Sequence, residues 1–158
     1  MLQLLERLFV QSKCAHRLEH YWTYELCHGK HLKQYHEERE GKNTKTTEYF
    51  LGFYSKETLD ESKTELIKKL EEKSAGKPLR KKIEAMHLPY VEILMDDGTI
   101  CDLNGKPRTT RVQYVCYPGA KDEIYSLKET STCEYEVVVL TTTICAHPDF
   151  RLEQSKER

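Results

Sequence analysis

No run in this 158-residue chain approaches the roughly 20 apolar residues of a membrane-spanning helix, which argues against direct insertion into a bilayer. Neither charge is in excess. With 25 basic and 26 acidic residues the formal net charge is −1, which gives no electrostatic reason to expect nucleic acid or an anionic membrane as partner. The six cysteines never form a Cys-x-x-Cys pair, so the usual signature of structural zinc or thioredoxin-like chemistry is missing. Asn43 and Asn104 are followed by the wrong residues for an Asn-x-Ser/Thr glycosylation acceptor. No internal repeat is present. Only 38% of residues are hydrophobic and the mean hydropathy is −0.73, so a single domain with a thin core is expected.

What is present begins with those cysteines. An even number at wide spacing, in a chain with a thin core, reads as three disulfides and hence an oxidising compartment. The start, Met1 to Val10, is interrupted by Glu6 and Arg7. It reads as a short amphipathic helix rather than a secretory segment, so a signal peptide is expected outside this chain. Tyr21 to Glu38 is the chemically densest stretch, with four aromatics, three histidines, Cys27 and Gln34 in eighteen residues. Tyr21 to Leu26 alternates as a strand, a turn falls at His28-Gly29-Lys30, and His31 to His36 returns beside it. His28, His31 and His36 are expected on the strand surface.

Glu48 to Tyr54 reads as a further strand. Thr58-Leu-Asp-Glu61 is a capping box, and Leu59, Leu66, Ile67 and Leu70 follow at helical spacing up to the Gly76 and Pro78 stop. A charged helix over about 59–75, within an insertion of about 55–85, is expected. Beyond it, strands are expected at Tyr90 to Met95, Arg111 to Tyr117, Ile124 to Leu127 and Cys133 to Leu140, the last the longest. Turns at Asp96-Asp97-Gly98 and Asn104-Gly105 separate them. The fold class is all-β, a barrel or sandwich with one inserted helix.

Three ordered motifs carry a resemblance. These are Tyr21-Trp-Thr-Tyr-Glu-Leu-Cys27-His-Gly-Lys-His-Leu-Lys-Gln34, then Gly98-Thr-Ile-Cys101-Asp102 with Lys106-Pro-Arg108, then Glu129-Thr-Ser-Thr-Cys133-Glu-Tyr135. The set resembles the mannose 6-phosphate receptor homology (MRH) domain of endoplasmic-reticulum lectins of the erlectin kind, there the first of two such domains. The resemblance covers about residues 14–151. It implies a flattened barrel of two antiparallel sheets spanning 12–151, flanked by a 1–11 extension and a polar 152–158 tail. It also implies disulfides Cys14 with Cys27, Cys101 with Cys133, and Cys116 with Cys145.

The resemblance further implies a mannose site made by Gln34, Arg108, Glu129 and Tyr135, with Gln34 and Arg108 on the axial 2-hydroxyl and the other two on the 3- and 4-hydroxyls. Sugar hydroxyls both donate and accept, so an amide, a guanidinium, a carboxylate and a phenol form a suitable partner set. A tandem Trp pair that holds a second, α1,6-linked mannose in a related lectin stands here as Tyr21-Trp22. Asp102 is expected to orient Arg108. Arg108 beside Glu129 is expected to keep that carboxylate ionised. Glu129 and Tyr135 would lie roughly 20 Å apart on a straight strand, so the chain between them must fold back for both to touch one sugar.

The implied role is recognition of trimmed high-mannose N-glycans on misfolded glycoproteins in the endoplasmic-reticulum lumen, with the adaptor of a membrane ubiquitin-ligase complex as partner. No enzyme activity, cofactor or metal is expected. Two rivals are a protein-interaction module with a vestigial pocket, and a glycosidase using Glu129 and Asp102. Taken singly, Trp22 and Tyr24 read as core, Gln34 as surface and Arg108 as a turn charge; only their joint occurrence favours a sugar site.

Overall fold

The computed structural model describes residues 2–11, 13–55, 80–83 and 86–150. The helix expected at 59–75 and the 152–158 tail lie outside the described residues. The N-terminal stretch forms helix α1 (Leu2–Gln11), followed by strands β1 (Cys14–Leu18), β2 (Thr23–Cys27), β3 (His31–Glu40) and β4 (Asn43–Phe53). Then come β5 (Arg80–Ile83), β6 (Met86–Met95), β7 (Thr109–Cys116), β8 (Lys121–Ser131) and β9 (Glu134–Thr141), with two 3-10 turns at Thr143–Ala146 and Pro148–Phe150. The expected strands are all found. The longest are β4 and β8, not the run after Cys133.

The first four strands make an antiparallel meander, and the rest a sheet of order β5-β6-β7-β9-β8. Within it β7 and β9 run parallel, so the second sheet is mixed rather than antiparallel throughout. Alternation decides which side chains meet. Leu26, Leu32 and Leu51 from the first sheet pack against Val91, Ile93, Met95, Val112, Tyr114, Val137 and Val139 of the second. On the second sheet's outer face Ile83, Leu88, Val115, Val138 and Leu140 form a smaller buried cluster.

A bulge corrects the phase of β4. Pairing with β3 shifts between Leu32 and Lys33, whose partners are Gly52 and Phe50. Leu51 is therefore supernumerary, so it and Tyr49 pack on the core while Phe50 and Phe53 stack at 4.8 Å with His31.

Helix α1 closes one end of the barrel. Leu5 and Leu8 are buried, and Phe9 meets Tyr54 and Tyr114 with ring centroids 4.9 and 6.2 Å away. The segment expected as an extension is therefore part of the core. Gly29 admits the helix: its φ is +78°, and an added Cβ would lie 2.6 Å from the Cβ of Phe9.

His28, expected on the surface, is fully buried behind this helix. Turn residues escape strand alternation, and here Nε2–H donates to the Asp122 carbonyl at 3.1 Å while Nδ1 accepts from the Tyr114 hydroxyl at 3.0 Å. Burial lowers its proton affinity first, the Asp122 carbonyl and charge oppose that, and Lys13 adds to it.

The two sheets meet along seams. On one side Arg17 donates through Nη1 to the Tyr125 carbonyl at 3.1 Å. On the other, residues 96–108 leave β6 and pair with the edge of β4 instead of turning tightly, as Asp96-Asp97-Gly98 had suggested. The Thr99 N–H donates to the Phe50 carbonyl at 2.8 Å, the Phe50 N–H to Thr99 Oγ1 at 2.9 Å, and the Gly98 N–H to the Arg108 carbonyl at 2.9 Å. Disulfides join Cys14 to Cys27, Cys101 to Cys133 and Cys116 to Cys145, the pairing that the resemblance implies.

Two predictions follow from burial. Because the folded state depresses the His28 pKa below its unfolded value, the unfolded chain binds more protons as pH falls through about 6.5, and stability declines there. Urea midpoints between pH 8 and 5 should show that slope, and His28→Phe should flatten it; an equal slope in both proteins would reject the assignment. At the seam, an added Cβ on Gly98 would lie 2.5 Å from the Phe50 carbonyl oxygen and 2.8 Å from that of Arg108. Gly98→Ala should therefore cost about 1–3 kcal/mol in urea unfolding, and a variant as stable as the parent would contradict this packing.

Candidate functional site

At the barrel end away from α1, six polar and aromatic side chains from both sheets are brought near one another. Antiparallel pairing sets Tyr24, Gln34 and Tyr49 side by side across β2, β3 and β4, on the inner face. The Arg108 guanidinium lies over the Tyr49 ring, its Cζ 4.8 Å from the centroid. Arg108 in turn interacts with the Tyr135 hydroxyl. Tyr135 is the direct cross-strand partner of Glu129 on the β8–β9 hairpin. Both Tyr135 and Glu129 act electrostatically on Tyr24.

The fold-back demanded between Glu129 and Tyr135 is this hairpin. Its turn falls at Thr132-Cys133, where Cys133 adopts φ 59°. The Cys101–Cys133 disulfide ties that turn to the loop carrying Arg108.

The electrostatics differ from expectation in two places. Glu129 forms no ion pair with Arg108. Its Oε2 instead accepts the Cys133 backbone N–H at 2.7 Å, so the turn, not the guanidinium, orients this solvent-exposed carboxylate. Asp102 does not orient Arg108 either. It is exposed, and Arg108 Nη1 donates to the carbonyls of Thr99 at 3.0 Å and Ile100 at 2.9 Å.

Arg108 is only 7% exposed, yet its Nε has no hydrogen-bond partner among the described residues. Nη1 is consumed by the loop. The guanidinium is thus held in place beforehand, with the buried Nε–H left as an unsatisfied donor.

Burial raises the Tyr135 hydroxyl above the usual phenol range; the Arg108 hydrogen bond and charge oppose the rise and Glu129 adds to it. Tyr24 is raised too, by burial first, then by Glu19, Tyr135 and Glu129. Both phenols stay protonated at neutral pH and can donate as well as accept.

An aromatic rim adjoins the ring. Trp22 meets Tyr49 edge-on at 5.8 Å and Tyr21 at 4.9 Å. Tyr21 stacks on His36 at 3.7 Å, and its carbonyl contacts His36 Nδ1 at 2.7 Å. One face of Tyr21 is thus covered by His36, although the residue remains 52% exposed.

The sequence reading set Tyr24 aside as core and passed over Tyr49. Alternation from Gln34 across the β3–β4 pair would have pointed to Tyr49 had the bulge been foreseen.

On the outer face of the first sheet Glu25, Cys27 and His31 place ligand-type atoms within 4.8 Å of one another. The Cys27 sulfur is in a disulfide, and Glu25 pairs with His16, His31 and Lys33. The His31 hydrogen bond is the main cause that holds Glu25 below the ordinary carboxylate range. This cluster is a charge network, and its three members do not make a ligand set.

Two family models described as glucosidase II beta subunit-like protein match residues 12–101 and 63–157. Endoplasmic reticulum lectin 1 from Homo sapiens is 48% identical over 156 residues, which is 97% of this chain and 32% of that protein. A protein OS-9 homolog from Arabidopsis thaliana is 34% identical over 159 residues, 96% of this chain and 48% of that protein. The chain thus spans about a third to a half of the length of these relatives. The solution structure of the MRH domain of Yos9 complexed with alpha3,alpha6-Man5 superposes with a TM-score of 0.61 at 22% identity, over 97% of this chain and 91% of that one. The chain therefore belongs to the glucosidase II beta subunit-like family, and its fold is that of an MRH domain.

Proposed function

We propose that the ring of Gln34, Arg108, Glu129 and Tyr135 binds a terminal mannose, and that the chain is a lectin domain for trimmed high-mannose N-glycans on misfolded glycoproteins. The observation that carries this reading is the buried Arg108 edge, whose Nε lacks a partner while its Nη1 is fixed by two carbonyls. An orphaned buried donor is costly unless a ligand completes it. A neutral hydroxyl suits it, because Gln34, Tyr135 and Glu129 stand around it with acceptors and donors of every type that a hexose can use.

Relatives named as endoplasmic reticulum lectins, and three disulfides that need an oxidising compartment, support residence in the endoplasmic-reticulum lumen. The adaptor of a membrane ubiquitin-ligase complex remains the proposed protein partner, on the family resemblance. Trp22 and the open face of Tyr21 would stack against the next sugar. The glycosidase rival needs a second carboxyl group at the ring, and no described contact links Asp102 to it.

Four side chains at about 1 kcal/mol of net hydrogen bonding each correspond to a Kd near 1 mM for a single sugar. Useful avidity then comes from branched glycans or tethering. Titration with methyl α-mannoside should give weak, saturable binding. Gln34→Ala and Tyr135→Phe should weaken it roughly 3- to 10-fold, and Arg108→Ala and Glu129→Ala roughly 10- to 150-fold. A glycan array on which the parent and Arg108→Ala behave alike would favour an interaction module instead.

A further inference from the structure

We propose that Tyr49 is the positioning residue for Arg108, its ring face compensating the buried guanidinium charge in place of a carboxylate. The inference rests on the mannose reading above and deepens it.

A guanidinium that is 7% exposed has lost nearly all its water and requires compensation. The usual solution is an ion pair, yet Arg108 has none among the described residues. Its surroundings are two backbone carbonyls at Nη1, the Tyr135 phenol and the Tyr49 ring 4.8 Å beneath Cζ. A carboxylate would satisfy the charge by consuming the Nε hydrogen as well, and that is the donor still without a partner for a sugar hydroxyl. The negative face of a ring attracts the cation from below the plane and leaves every in-plane N–H free. In a site for a neutral ligand this difference matters.

Position matters as well as charge. Two bonds to Nη1 anchor one end of the guanidinium but leave it free to tilt about that end. A flat ring under the plane removes the tilt and fixes where the free edge points. The shelf itself is braced, since Tyr49 is flanked by Gln34 in the adjacent strand and by the Trp22 edge at 5.8 Å.

The test uses the full chain, with Tyr49→Phe and Tyr49→Leu as variants and methyl α-mannoside as probe. In the free protein, the Arg108 Nε–H proton resonance should be displaced upfield by the ring in the parent and in Tyr49→Phe, and should lose that displacement in Tyr49→Leu. Mannoside affinity should stay within about twofold for Tyr49→Phe and fall roughly 3- to 30-fold for Tyr49→Leu. The resonance reports whether the ring lies beneath the guanidinium plane, and the comparison of Phe with Leu reports whether binding needs the aromatic face rather than the Tyr49 hydroxyl. The proposal is overturned if the parent shows no upfield displacement, a result that needs no folded variant. It is equally overturned if Tyr49→Leu binds like the parent, or if Phe loses as much as Leu. Should the parent bind no mannoside while the resonance behaves as expected, the lectin reading fails and the positioning of Arg108 stands.

Discussion

A charged guanidinium held out of water with no carboxylate beside it is the constraint on which this structure turns. Arg108 is tolerated because the loop from Gly98 to Ile100 turns two carbonyls toward Nη1 and because an aromatic face lies below. Each of those features needs another part of the fold. The carbonyls are placed by pairing of Thr99 with Phe50 on the edge of β4, and Tyr49, the next residue, supplies the ring. The seam that joins the two sheets and the shelf beneath the cation are therefore one short stretch of chain.

The opposite wall is built the same way. Glu129 and Tyr135 face one another across the β8–β9 hairpin, and the Cys133 N–H at its turn holds the carboxylate. The Cys101–Cys133 disulfide links this turn to the Arg108 loop, so both walls are fixed relative to each other by a covalent bond. Helix α1, with Phe9 over Tyr114 and Tyr54, fills the far end of the barrel and leaves the site end to polar groups. A chain with a thin core thus places most of its apolar packing where no ligand is needed.

Much of this was legible in the sequence. Alternation located the strands, and the condition that Glu129 and Tyr135 touch one sugar required a reversal between them, which the hairpin supplies. What escaped was decided by contacts distant in sequence. His28 sits in a turn, where alternation carries no information, and only the Asp122 carbonyl and Tyr114 hydroxyl, roughly ninety residues away, make its burial affordable. Arg108 and Glu129 form no ion pair, and the carboxylate accepts the Cys133 backbone N–H instead. Tyr49 was hidden among Tyr49-Phe50-Leu51-Gly52-Phe53, where a single bulge decides which rings face the core and which face solvent. Beside that bulge Gly52 lies against Met95, a contact with no local signature.

The central claim is that residues from both sheets close on one hexose. It is tested most directly by measuring intermolecular NOEs between methyl α-mannoside and the protein at saturating sugar. The account predicts that protons of a single bound ring contact Gln34 on the four-stranded sheet and also Tyr135 on the five-stranded sheet. NOEs confined to one sheet, or to the outer face around Glu25 and Lys33, would contradict it.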